Sequence, residues 1–376
     1  MKILYLHIGT PKTGTSTIQY FCHLNNDFLL KHELCYPDLG FRFPGIGQNR
    51  NAYFLSHKIY DDQKNRLPEA ETAQRNKGFC KLEKIFEKQE RVLISDEHLW
   101  NEKEMDVVRL KQIQERMAKA GVTVKAIVYL RRQEQVIQSY WAQKVKEGMR
   151  LSFSKYMKKE KFRYFELDYE KRLQEFADAF GRENIIVRCF ETGQYQGAEH
   201  TLISDFLNIF DIAVTEECRD IGVSKNESLK RNYLETKRLL NQNPAFRTKQ
   251  NFIVERLLQL QESDGEHAAH SSMNLNYFSK KEKKLCAAQY AKTNEHVARK
   301  FLGREDGKLF YEESFSEEDA VPFSMKELAG ICGSVIAMQE QEIGQLKEKL
   351  ERKTLRGKLK RIYHTMIKFR NSREKR

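Results

Sequence analysis

The sequence predicts an α/β protein built on a doubly wound parallel sheet, with a helical C-terminal extension, and three observations carry that prediction. Four short apolar runs, Lys2–Ile8, Arg91–Ser95, Val122–Leu130 and Asn184–Phe190, are separated by stretches with helical spacing. The first run is close to continuously apolar, as in a sheet covered by helices on both faces. The first run breaks at Gly9 into a turn rich in Gly, Thr and Ser and then enters a helix. Strand, tight turn, helix N-terminus is the order of parts that builds a phosphate cradle, because backbone N–H groups and the helix dipole converge there.

Composition narrows the class. The 376 residues suit one large domain or two small ones, with few Gly and Pro and no internal repeat. No apolar stretch approaches the length of a spanning helix, and no secretory signal is read at the start, so a cytoplasmic protein is expected. Seven cysteines, odd in number and without C-x-x-C spacing, suggest reduced thiols and neither a disulfide framework nor a zinc site. The formal charge is +13, but residues 352–376 hold eleven Lys/Arg against one acid, which leaves only +3 for the other 351. The basicity belongs to a tail, and no nucleic-acid partner is expected of the body.

In order along the chain, the turn Pro11-Lys12-Thr13-Gly14-Thr15-Ser16-Thr17 leads into a helix to about Asn25, with Ile18, Phe21 and Cys22 on its buried side. Lys12 supplies a full charge, and the hydroxyls of Thr13, Thr15, Ser16 and Thr17 are read as further donors. Gly9 and Gly14 keep the glycine spacing of a nucleotide triphosphatase loop, but Thr15 stands where its lysine belongs. Such a cradle suits a ligand that needs no β/γ-phosphate clamp, and no metal is expected. Residues 33–76 read as a long irregular loop, whose Gln48, Asn49, Arg50, Asn51 and His57 are candidates to face an acceptor.

A helix is expected over Lys77–Lys88, before the second strand. That strand ends in Asp96-Glu97-His98, a carboxylate and an imidazole arriving where open parallel sheets place their chemistry. The next helix, near Met105–Ala120, stops at Gly121. The third strand runs into Arg131-Arg132, with Ser139 eight residues on, a second anion site; a guanidinium fits it because its planar fork gives two hydrogen bonds to one phosphate. Arg132 is an alternative to Arg131. Further helices are expected over Leu167–Phe180 and Glu199–Phe210, and residues 222–313 are read as largely helical.

Pro11–Ser16 resembles the 5′-phosphosulfate loop of sulfotransferases that use 3′-phosphoadenosine-5′-phosphosulfate (PAPS), with a pattern close to P-K-[ST]-G-[ST]-[ST]. Arg131 and Ser139 resemble their 3′-phosphate grip, and the stretches Asn226-Glu227-Ser228-Leu229 and Asn294–Gly303 are similar to bacterial members. The glycine-rich C-terminal nucleotide loop of cytosolic aryl sulfotransferases is missing, so the carbohydrate-directed members fit better. The resemblance spans residues 1–313. It implies a P-loop-type fold, PAPS as donor, a glycan or glycolipid hydroxyl as acceptor, and the donor held by Pro11, Lys12, Thr13, Gly14, Thr15, Ser16, Thr17, Arg131 and Ser139. It also implies Lys12 as a catalytic cation and Glu97 as the base, with His98 second and Asp96 third. The rival readings are a P-loop kinase and a non-catalytic protein that binds membranes or polyanions.

Beyond residue 313 the composition changes. Residues 314–351 read as an acidic linker and a short helix, and residues 352–376 as a basic amphipathic tail. Such a tail suits the anionic inner face of a membrane, each cation adding about 1 kcal/mol near the surface.

Overall fold

A computed structural model describes residues 1–101, 103, 105–159, 167–219, 228–229, 231–246, 248–263, 277–311 and 325–373. The acidic segment 314–319 and Asn226-Glu227 of the N-E-S-L stretch lie outside the described residues. The chain forms two compact units. One takes Met1–Trp141, Leu151–Glu227 and Asn276–Ala320; the other takes Ala142–Arg150, Ser228–Leu275 and Val321–Arg376. The division falls inside residues 1–313, the span of the resemblance.

The first unit holds a four-stranded parallel sheet of β1 (Lys2–His7), β2 (Arg91–Ser95), β3 (Val122–Leu130) and β4 (Ile185–Cys189), in the order β2-β1-β3-β4. Leu6 pairs with Ile94 on one side and Ala126 on the other. The chain leaves β1 towards β2 and then returns past it to β3. The reversal of direction therefore lies between β1 and β3, the crevice where such sheets take ligands.

Strand residues alternate between two cores because side chains point to opposite faces with period two. Leu4, Leu6, Val92, Ile94, Val124, Ala126 and Val128 pack on one face against α3 (Pro68–Phe86), α4 (Val107–Lys119), α7 (Tyr169–Phe180) and α11 (Lys280–Leu302). Ile3, Tyr5, Leu93, Ile127 and Tyr129 pack on the other against α1 (Thr15–Leu24), α2 (Asn26–Lys31) and α8 (Leu202–Asn208). Each fully buried Leu, Ile or Phe in these layers contributes about 1.5–3 kcal/mol.

Local signals fix the helix ends. The Asp106 carboxylate accepts from the Arg109 amide to start α4, and Gly121 follows that helix at φ +69°. Ser279 and Glu282 form a capping box at the start of α11. The helix expected over Lys77–Lys88 instead begins at Pro68, with Pro at its first position and Glu69 and Glu71 in its first turn.

Helix α5 (Gln133–Lys146) follows β3 directly, and α6 (Phe153–Lys159) comes after it. In the second unit α9 (Arg231–Leu240) and α10 (Gln250–Ser263) pack with α12 (Met325–Arg373). The buried Lys237 ammonium ties α9 to its surroundings through Asn241 Oδ1 and Gln250 Oε1. Its desolvation pulls the pKa down to about 8. Helix α12 is continuous across residues 351–352, where the sequence reading separated a short helix from a tail. Among the described residues no helix is long and apolar enough to cross a membrane.

Candidate functional site

The β1–α1 turn is folded around Thr10. Its amide and its hydroxyl both donate to Tyr129 O at 3.0 Å, and the Tyr129 amide returns a bond to Gly9 O at 2.7 Å, so the turn is bolted to β3. The hydroxyls of Thr13 and Thr15 are buried and donate to Thr10 O at 2.5 and 3.4 Å. These two hydroxyls, expected from the sequence to face an anion, instead shape the turn itself. Pro11, Lys12 and Thr17 are half-buried, and Ser16 is exposed.

Gly14 caps α1 in the left-handed region, at φ +75°. No side chain caps this helix and no acidic residue lies in its first turn. Among the described residues, no hydrogen bond runs from the amides of Thr13, Gly14, Thr15 or Ser16 to a protein acceptor. Such N–H groups, at the positive end of a helix and beside Lys12, are suited to hold an oxyanion. Glycine is required at position 14 twice over. A Cβ there would sit 2.3 Å from Leu202 Cδ2 and 3.2 Å from Phe190 Cε2, in a backbone conformation that side chains disfavour. Gly14→Ala should therefore destabilise the protein by about 1–3 kcal/mol and abolish anion binding at the turn, as read by chemical denaturation and ligand titration.

Arg131 stands beside this turn. Its guanidinium donates to Lys12 O at 2.9 Å and, through Nε, to Gln135 Oε1 at 3.0 Å, and it lies 5.3 Å from the centroid of the Phe190 ring. Tyr169 Oη donates to Arg131 O at 2.5 Å and fixes the strand exit. Burial pulls the Arg131 pKa below its usual value, and among the described residues no carboxylate forms an ion pair with it. Arg132 differs. It is held by Glu191, with Nη2 to Oε1 at 3.2 Å, and lies over Phe310. The two arginines at the strand exit thus face different partners, and Arg131 is the one at the turn. Ser139 lies one helical turn beyond Gln135, which puts both on one face of α5.

The third group comes from the end of β2. A Cβ on Gly9 would approach Glu97 Cα and Cβ to 3.3 Å, so the absence of a side chain at Gly9 lets Glu97 lie against the turn. Glu97 is half-buried and His98 exposed, its ring 5.7 Å from that of Tyr53. Asp96 is fully buried. Its carboxylate accepts from Arg50 Nη2 at 2.5 Å, Ser56 Oγ at 2.7 Å and the His98 amide at 3.1 Å. With its oxygens engaged in this way, Asp96 holds the 33–76 segment to the strand end.

That segment also carries structural polar groups. The Asn51 amide donates to Pro37 O and Leu93 O and accepts from the Ser95 amide. His57 packs between Phe43 and Tyr53, at 4.4 and 5.2 Å. The half-buried rings of Phe43, Tyr53 and His57 reach His98 as one aromatic wall. His7 lies on β1 with Nδ1 2.8 Å from Ser95 Oγ, which also accepts from Gln19 Nε2 at 3.1 Å. Burial pushes the His7 pKa down to about 3, so the ring is neutral at pH 7. Among the described residues no three His, Cys, Asp or Glu side chains gather to hold a metal ion.

No family model matches the chain. An uncharacterised protein of Archaeoglobus fulgidus is 29% identical over 212 residues, 54% of this chain and 54% of that one. The chain thus spans about half the length of the curated relative it matches. A sulfotransferase from Alicyclobacillus acidocaldarius aligns in three dimensions over 69% of this chain and 96% of its own, with a TM-score of 0.37 and 16% identity. At that level the overlap assigns nothing, and the functional reading rests on the site's own residues.

Proposed function

We propose that the protein is a sulfotransferase that takes PAPS as donor and a hydroxyl of a glycan or glycolipid as acceptor. The observation that carries the reading is the hydrogen bond from Arg131 to Lys12 O, which sets the two anion-binding motifs side by side at the crevice between β1 and β3. The residues present fit a doubly phosphorylated ligand. Among the described residues the amides of Thr13–Ser16 have no protein acceptor and no carboxylate forms an ion pair with the half-buried Arg131, and Lys12 adds a charge.

In this reading the Thr13–Thr17 segment and Lys12 hold the 5′-phosphate, and Arg131 and Ser139 hold the 3′-phosphate. When bound, the donor supplies an activated sulfuryl group. Lys12 neutralises charge that develops on the leaving phosphate, the type of electrostatic support that dominates related transfers. Glu97 takes the proton of the acceptor hydroxyl. The aromatic wall of Phe43, Tyr53 and His57 beside His98 supports a sugar acceptor, since aromatic faces pack against apolar faces of a ligand while a few polar groups orient it. The exposed Leu359, Ile362 and Tyr363 on the basic part of α12 support attachment to an anionic lipid surface at the inner side of the membrane.

A kinase reading requires a lysine after Gly14 and a magnesium carboxylate; Thr15 occupies the first position. Thermal unfolding separates the readings, because a ligand stabilises only a state that binds it. Adenosine 3′,5′-bisphosphate at a hundredfold its Kd should stabilise the protein by about 2.7 kcal/mol, while ATP with magnesium should give little shift. The reverse ranking would overturn the proposal in favour of a kinase, and no shift with either would favour a non-catalytic protein.

A further inference from the structure

The first part of helix α12 packs within its own unit, against α9 and α10. Leu328 is buried there, Asn232 Nδ2 donates to Glu327 Oε2 at 3.3 Å, and Arg256 of α10 pairs with Glu342. Beyond that point the helix continues alone. Among the described residues, all from Ile343 to Thr365 are exposed. Helices in proteins draw most of their stability from packing an apolar face, so a helix that runs on this far calls for a partner surface.

The stretch 336–351 carries the apolar residues that such a surface would cover. Ile336, Ile343 and Leu350 recur at intervals of seven, with Leu346 between the last two, which are the a and d positions of a heptad. All four are more than half exposed. The charges say what fits over them. Glu340, Glu342, Glu348 and Glu351 outnumber Lys347 and Lys349 in this stretch, so an anionic lipid surface repels it. Beside the stripe the signs are sorted along the helix, with Glu340 and Glu342 at its first half and Lys347 and Lys349 at its second. These are e and g positions, which set partner and orientation in coiled coils. A second copy turned end for end brings its own Lys347 opposite Glu340 and its own Lys349 opposite Glu342. Each pair then occurs twice about a twofold axis, and Ile343 of one copy lies opposite Leu346 of the other.

We propose that α12 pairs antiparallel with the α12 of a second copy of this chain, through Ile343, Leu346 and Leu350 and with Glu340 opposite Lys347, which makes the protein a dimer. The proposal is independent of the transfer reading, since it uses no residue of the β1–β3 crevice.

Sedimentation equilibrium of the full chain tests it, at low salt, where surface ion pairs are least screened. The protein should dimerise with a Kd of about 100 µM or below. Ile343→Asp/Leu346→Asp alters only exposed side chains and should raise that Kd about tenfold or more. Glu340→Lys and Lys347→Glu should each weaken self-association about threefold or more, because like charges then face each other. An equal mixture of these two variants should form a dimer at least as tight as that of the unaltered protein. A parallel pair would set Glu340 opposite Val335 and leave Glu340→Lys without effect. The proposal is overturned if the protein is monomeric at about 500 µM, if Ile343→Asp/Leu346→Asp or Glu340→Lys dimerises unchanged, or if the mixture is no tighter than its components.

Discussion

Replacing Lys12 by alanine should lower the rate of sulfuryl transfer by about 10²–10³-fold, the range seen when one preorganised electrostatic contact to a developing anion is removed. The position explains the size. Lys12 sits at φ +70° between Pro11 and the buried Thr13, in a turn tied to β3 through the amide and hydroxyl of Thr10. Its ammonium is therefore carried by a rigid piece of backbone, and the field it supplies is in place before the reaction. Arg131 reinforces this by binding Lys12 O. The fall should appear chiefly in kcat, with a smaller change in the affinity for adenosine 3′,5′-bisphosphate. Equal losses in kcat and in nucleotide affinity would make Lys12 a binding residue only.

Glu97→Gln should reduce turnover by about 10²–10⁴-fold, the usual contribution of a positioned general base, and should leave nucleotide binding intact. Of the three side chains in Asp96-Glu97-His98, Asp96 is buried and engaged by Arg50, Ser56 and the His98 amide. His98 is exposed on the side of Tyr53. Glu97 alone of the three is brought against the β1–α1 turn, where Gly9 has no Cβ to obstruct it. His98→Ala should therefore cost less than Glu97→Gln. Full activity in Glu97→Gln, with loss in His98→Ala, would transfer the role to the imidazole.

Much of this arrangement is legible in the sequence because the signals are local. Val122–Leu130 and Arg91–Ser95 are apolar runs with polar boundaries, and both fold as strands with those limits. The strand–turn–helix at Gly9–Thr17 announces itself through its glycines and hydroxyls. What the sequence does not reveal is where hydrogen-bonding groups are directed. Thr13 and Thr15 look like ligands, yet their hydroxyls turn inward and donate to Thr10 O. The separation of Arg131 from Arg132 depends on Glu191 and Phe190, about sixty residues away, and the burial of Asp96 depends on Arg50 and Ser56.

Other features were present but outweighed. Pro68 with Glu69 and Glu71 is an ordinary helix start, hidden by a polar first half of α3 that reads as loop. The continuous α12 joins two stretches of different charge, and charge does not interrupt a helix when neither Pro nor a run of Gly intervenes.

The central claim is that one ligand spans the turn and the strand exit. A crystal structure of the protein with adenosine 3′,5′-bisphosphate tests it most directly. The account predicts the 5′-phosphate on the amides of Thr13–Ser16 and the 3′-phosphate on Arg131. A nucleotide bound away from the β1–β3 crevice, or one that meets the turn while Arg131 contacts neither phosphate, would contradict it.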